Sequence, residues 1–143
     1  MNIANVLLVD DEVDFVETFS ERLVMRNLEI SKAFSGEEAL QVLEKNKNIE
    51  VVILDVKMPG MDGIETLAEI KKKFPLVEVI MLSGQATVES AIEGMKQGAF
   101  DYLMKPCDMD QLMPKVTEAA AKKRQHEEKI IQARIKEITS RHI

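Results

Sequence analysis

Polar residues of three chemical types follow directly on apolar runs at four points of the chain. Asp10 and Asp11 follow Val6–Val9, Asp55 follows Val51–Leu54, Ser83 closes Val77–Leu82, and Lys105 follows Tyr102–Met104. Carboxylates brought to one place repel each other, so either a pKa rises or a cation is held. Oxygen-only ligands favour a hard ion such as Mg²⁺ (or Mn²⁺), which keeps several waters and takes few protein ligands. A carboxylate can also act as a nucleophile toward phosphorus. Transfer to it requires its own charge and the phosphoryl charge to be offset together, by a metal on one side and by an ammonium and a hydroxyl on the other. Lys105 and Ser83 supply those two groups. Each residue alone has a plainer explanation: Asp10 as a turn former, Asp11 as a helix cap with Asp14 three residues on, Lys105 as a surface lysine. Acid, acid, hydroxyl and amine at four strand ends are hard to obtain from turn chemistry alone.

These residues need elements to carry them. Five short apolar runs stand out: Val6–Val9, Glu29–Ala33, Val51–Leu54, Val77–Leu82 and Tyr102–Met104. The first, third and fourth are nearly continuous and rich in β-branched residues, as in strands buried on both faces. A helical pattern follows each run. Val13, Val16, Phe19, Leu23 and Val24 form the first stripe. Ala39, Leu40 and Leu43 form the second, and Ile64, Leu67, Ala68 and Ile70 the third. Val88, Ala91, Ile92 and Met95 form the fourth. Ser35 with Glu38 reads as a capping box, Asp62-Gly63 as a turn before the third helix, Gly98 as a stop for the fourth, and Asp108 with Gln111 as the start of the fifth. Alternation of this kind predicts an α/β fold, a doubly wound five-stranded parallel sheet with helices on both faces. Ligands of such sheets sit beyond the C-terminal strand ends, where the polar set falls. The last helical pattern starts near Asp108 and extends to about Arg141, with Pro114 inside it expected to loosen or kink the helix.

The formal net charge of -6 disfavours direct nucleic-acid binding. Lys122, Lys123 and Arg124, followed by Glu127 and Glu128, read as a solvated helix face. The single cysteine, Cys107, excludes a disulfide framework and a thiolate metal site, and reads as a small buried hydrophobe. The start of the chain lacks the pattern of a secretory signal, and no apolar run is long enough to span a bilayer. A soluble, cytoplasmic protein without membrane contact is the expectation.

The segments Leu-Leu-Val-Asp-Asp-Glu at 7–12, Leu-Asp-Val-Lys-Met-Pro-Gly-Met-Asp-Gly at 54–63, Met-Leu-Ser-Gly at 81–84 and Gly-Ala-Phe-Asp-Tyr-Leu-Met-Lys-Pro at 98–106 resemble the receiver domain of bacterial two-component response regulators. The resemblance covers Asn5 to about Ala120. It implies the flavodoxin-like strand order 2-1-3-4-5, and with it a phosphorylation-activated switch fed by a sensor histidine kinase or phosphotransfer protein. Asp55 would be the phosphoacceptor. Asp10, Asp11, Asp55 and the backbone carbonyl of Lys57 would bind the metal. Ser83 and Tyr102 would be the switch pair, and Lys105 would pair with the phosphoryl group. The peptide before Pro106 would be cis. The chain would catalyse only its own phosphotransfer and slow autodephosphorylation, and would signal through the face of the fourth helix, fifth strand and fifth helix.

Three rivals are less well supported. A haloacid-dehalogenase-like phosphatase needs an Asp-x-Asp nucleophile motif, and Asp55 is followed by Val56 and Lys57. A flavin carrier needs a hydroxyl- and glycine-rich loop after the first strand, where this chain has Asp10-Asp11-Glu12. A receiver kept only as a binding module has no need of the full acid, hydroxyl and amine set. Residues 1–121 read as the receiver unit and 122–143 as a helical extension or linker. Ile131, Ile135 and Ile138 have the spacing of a two-helix seam. The extension either folds back or frays, or pairs with a second copy or a partner. The output is open: a stand-alone receiver and the front of a longer regulator both fit.

Overall fold

The computed structural model describes residues 2–85 and 87–141; residue 1 of the expected receiver unit and residues 142–143 of its extension lie outside the described residues. Strand and helix alternate as β1 (Ala4–Val9), α1 (Val13–Val24), β2 (Leu28–Ala33), α2 (Gly36–Lys45), β3 (Val51–Leu54), α3 (Gly63–Lys73), β4 (Glu78–Ser83), α4 (Val88–Lys96), β5 (Asp101–Met104) and α5 (Met109–Arg141). All pairings are parallel, in the order β2-β1-β3-β4-β5.

The burial pattern explains the composition of each strand. The central strands β3 and β4 are buried at every position, which requires apolar residues on both faces. Successive side chains of β1 point to opposite sides. Val6 and Leu8 join the layer beneath α1 and α5, with Val16, Leu23, Leu112 and Val116. Leu7 and Val9 join the layer beneath α2 and α3, with Leu43, Leu67 and Ile70. The edge strands β2 and β5 are mixed, as their half-exposed places allow.

Two helix stripes differ from the expected ones. In α1 the buried residues are Val16, Phe19, Ser20 and Leu23, while Val13 and Val24, at the helix ends, are exposed. In α4 only Gly94 is buried; Val88, Ile92 and Met95 lie exposed on its outer side. Ser35 caps α2 by accepting from the Glu38 N–H at 3.1 Å, but the reciprocal capping box forms at Thr87–Ser90 on α4. Gly98 follows α4 with φ 101°, a backbone conformation that favours glycine.

Helix α5 runs for 33 residues, about 50 Å at 1.5 Å per residue. It continues through Pro114 without interruption, and the Thr117 hydroxyl donates to the carbonyls of Met113 and Pro114 nearby. In the segment Lys122–Arg124 the first and last residues are exposed, as a solvated face requires, but Lys123 is buried and the segment is tied to acids of the sheet. Arg124 donates to both carboxylate oxygens of Glu50, at 2.5 and 2.8 Å, and to the Ile3 carbonyl at 2.9 Å. Lys122 lies 3.7 Å from Glu78, and Lys123 is buried and paired with Glu127 at 2.8 Å. The reason is topological: α5 crosses the N-terminal ends of β3 and β4, where Glu50 and Glu78 are buried. Beyond this anchor, Ile130, Ile131, Ile135 and Ile138 are exposed.

Candidate functional site

The expected polar set converges at the C-terminal edge of the sheet, and the backbone fixes it there. The Asp10 N–H donates to the Ala33 carbonyl at the end of β2. The Asp55 N–H donates to Val9 at the end of β1, and the Lys105 N–H to Ser83 at the end of β4. Each site residue is thus tied to the last residue of a neighbouring strand. Gly63 completes the support. A Cβ there would collide with the Asp55 carbonyl oxygen and the Val56 Cα, so only glycine lets α3 begin this close to the acid.

Asp10, Asp11 and Asp55 each place a carboxylate oxygen within 4.8 Å of the others. Asp10 and Asp55 are buried, while Asp11 is exposed. Asp10 also shapes the turn, its Oδ1 accepting from the Glu12 N–H at 3.0 Å. Among the described residues Asp11 makes no capping bond: Glu12 holds the N-cap position of α1, itself without a side-chain cap bond. Asp55 accepts from the Val56 N–H at 2.9 Å. Burial and then the neighbouring charge of Asp10 push its pKa up to about 6, against the pull of Lys105, the Val56 N–H and the Ser83 hydroxyl. Three carboxylates face one ammonium here, so the site carries more negative charge than its own groups offset. Three oxygen ligands at this separation, with that surplus, fit a hard divalent cation.

The Lys105 ammonium lies 2.5 Å from Asp10 Oδ2 and 3.9 Å from Glu12 Oε1. It also stands 4.0 Å from the centre of the Phe15 ring. The Lys105–Pro106 peptide is cis, as expected. Ser83 is buried, its Oγ accepting from the Gln85 N–H at 3.1 Å. Asp11, Asp55, Lys57, Ser83 and Lys105 line one cavity of about 300 Å³. Tyr102 lies at the side of the site, half-buried, sharing a 2.9 Å hydrogen bond with the Ser90 hydroxyl of the α4 capping box. Cys107 is buried, and burial followed by the nearby Asp108 raises its thiol pKa, which makes it an inert packing residue. Phe15 went unread in the sequence. Its place in the first turn of the helix that follows the acidic pair is the signal that would have found it.

Fold and strand order belong to one class, and comparison with known proteins agrees. Residues 6–117 match the family model "Response regulator receiver domain", and the chain belongs to that family. It is 36% identical over 121 residues to the transcriptional regulatory protein ZraR of Salmonella typhimurium, covering 85% of this chain and 27% of that protein. A response regulator receiver domain from Clostridium thermocellum superposes with a TM-score of 0.81 at 36% identity, covering 85% of this chain and 98% of that one. NtrX from Brucella abortus, solved in complex with ADP, gives a TM-score of 0.81 at 32% identity, covering 90% of this chain and 29% of that one. The chain thus spans about a quarter of the length of the curated relatives it matches. Its general role is that of a receiver in two-component signalling, and none of the helices among the described residues is long and apolar enough to cross a membrane.

Proposed function

We propose that Asp55 accepts a phosphoryl group from a sensor histidine kinase or a phosphotransfer protein, and that the modified chain then signals by changing shape. The observation that carries this reading is the meeting of Asp55 with Asp10, Asp11, Ser83 and Lys105 at one sheet edge. An Asp55 carboxylate oxygen attacks phosphorus as the bond to the donor's imidazole nitrogen breaks. An acyl phosphate forms on Asp55, and the leaving nitrogen takes a proton. Asp10, Asp11, an Asp55 oxygen and the Lys57 backbone carbonyl would hold Mg²⁺ or Mn²⁺, which supplies positive charge to the phosphoryl oxygens when bound. Lys105 would leave Asp10 to pair with the phosphoryl group, and the Ser83 hydroxyl would donate to it.

The movement of Ser83 makes room for Tyr102 to turn inward. That turn breaks the Tyr102–Ser90 bond and frees the start of α4, so the face of α4, β5 and α5 changes toward a downstream partner or output domain. The chain is a switch and not a turnover enzyme. Intact-protein mass spectrometry with Mg²⁺ and a small phosphodonor tests this. One added phosphoryl group is expected on the wild type and none on Asp55→Asn. Equal labelling of both would remove Asp55 from the role, and sustained donor hydrolysis without labelling would favour a phosphatase.

We place the chain in the cytoplasm, where ATP-dependent kinases supply phosphohistidine. Residues 1–121 form the receiver unit, and 122–143 an extension that pairs with a second copy. The exposure of Ile131, Ile135 and Ile138 supports the pairing, because soluble proteins usually cover such a stripe. Light scattering of the full chain and of one ended after Arg124 tests it. Monomers of both, with and without phosphorylation, would exclude self-pairing.

A further inference from the structure

The ammonium of Lys105 rests on three groups, and Asp55 is not one of them. It is 2.5 Å from Asp10 Oδ2, 3.9 Å from Glu12 Oε1 and 4.0 Å from the Phe15 ring centroid, and its side chain is 15% exposed. Asp55 lies outside ion-pair distance of it. The ring is firmly held. Phe15 stacks on Phe19 with centroids 5.0 Å apart, and both pack on the α1–α5 core layer. An ammonium over an aromatic face is attracted by the ring's electron-rich surface, and more strongly where water is excluded.

We propose that Phe15 is a positioning residue that seats the Lys105 ammonium on Asp10, so that Lys105 is a built-in counter-cation which a divalent metal must displace. The inference rests on the metal-binding role of Asp10 proposed above. Asp10 Oδ1 is engaged by the Glu12 N–H, so Oδ2 is its better placed ligand atom, and that oxygen is the one Lys105 occupies. Lys105 thus has two seats. In one it neutralises Asp10 while no metal is bound; in the other it serves the phosphoryl group on Asp55. The ring stabilises the first seat, where the ammonium lies 4.0 Å from its centre, and thereby weakens metal binding and holds Lys105 back from Asp55.

The test measures Mg²⁺ affinity by calorimetry on the full-length chain. Phe15→Leu keeps an apolar side chain but removes the ring face, and should tighten Mg²⁺ binding roughly two- to five-fold, the factor equivalent to a partly exposed cation–π contact. Phe15→Tyr, which keeps a face, should bind like the wild type. In a Lys105→Met background, Phe15→Leu should have no effect, and this coupling is a readout that loss of packing alone would not give. Phe15→Met serves the same purpose should the leucine variant fail to fold. An equal effect in both backgrounds, or no effect in either, overturns the proposal. Failure of the underlying reading is distinguishable, since Asp10→Asn would then leave Mg²⁺ affinity unchanged.

Discussion

The two ends of the sheet bury carboxylates in similar ways and treat them oppositely. At the C-terminal edge Asp55 is 6% exposed and its pKa is pushed up to about 6, by burial and by Asp10. At the N-terminal edge Glu50 is 8% exposed, yet its pKa lies below the usual value. Burial alone would raise Glu50 too, but hydrogen bonds from Arg124 and the Asn5 N–H, with the charges of Arg124 and Lys123, outweigh it. Glu78 beside it faces Lys71 at 3.8 Å and Lys122 at 3.7 Å. Lys71 itself is held below its ordinary pKa by burial first, spending its hydrogen bonds on the Pro75 and Val77 carbonyls. Burial is common to both ends; the sign of the neighbours differs. Where cations answer the acids the residues hold the fold, and where acids outnumber them the site is left ready for an added positive charge.

The comparison breaks most sharply through Arg124→Ala. That change strips the partner from a buried carboxylate, and with the guanidinium itself half exposed it should destabilise the fold by about 2–3 kcal/mol, the upper range for leaving one buried charged group without its hydrogen bonds. Urea unfolding measures it, and a change below about 0.5 kcal/mol would reduce the pair to an ordinary surface bridge.

Asp55→Asn should act in the opposite direction. The folded state raises the Asp55 pKa from 3.8 to about 6, so it binds the proton more tightly than the unfolded chain does. Protonation therefore favours folding at low pH, and this advantage is lost as pH rises through about 6. Asparagine carries no charge to desolvate. Without metal the variant should be more stable than the wild type at pH 7 by on the order of 2 kcal/mol, with the gain disappearing toward pH 4. Glu50 has the reverse slope: its contribution is present above the ordinary carboxylate pKa and lost as pH falls through its lowered value. Parallel melts from pH 4 to 7 would sharpen the contrast, and equal pH profiles of wild type and variant would remove it.

Magnesium should stabilise the charge-surplus end alone. At ten times its Kd it should add about 1.4 kcal/mol to the wild type, with a smaller gain in Asp10→Asn and Asp11→Asn and an undiminished gain in Glu50→Gln. Thermal melts with and without Mg²⁺ report it. The smallest expected effect is that of Ser83→Ala, which should still accept a phosphoryl group but show a reduced amide-exchange response across α4, β5 and α5. A full response in that variant would uncouple Ser83 from the face.

The two ends were not equally legible in the sequence. Each residue of the C-terminal edge stands directly after an apolar run, so sheet topology alone brings the set together, and the resemblance to the receiver family implies their roles. The N-terminal edge offers no such signal. Glu50 meets Arg124 across 74 residues of chain, and no spacing rule links the residue before a strand to a distant helix. The nearby Glu127 and Glu128 suggest only a solvated face; Glu127 does take Lys123 at 2.8 Å, while Arg124 goes to Glu50. The stripe of α4 misled for a related reason. Helical periodicity places residues on one side without saying which side the sheet lies on, and Gly94 is the residue that meets Tyr102 and Met81.

The bond between Tyr102 and Ser90 has an optical consequence. The chain has one tyrosine and no tryptophan, so its near-ultraviolet absorption and emission come chiefly from Tyr102. The phenol's spectrum depends on what its hydroxyl is bonded to and on how much water surrounds the ring. The unlabelled protein therefore carries its own chromophore at the place where it is proposed to move. Stopped-flow tyrosine emission, recorded after mixing with a phosphodonor, would time the rotation of one side chain in a protein otherwise nearly dark at those wavelengths.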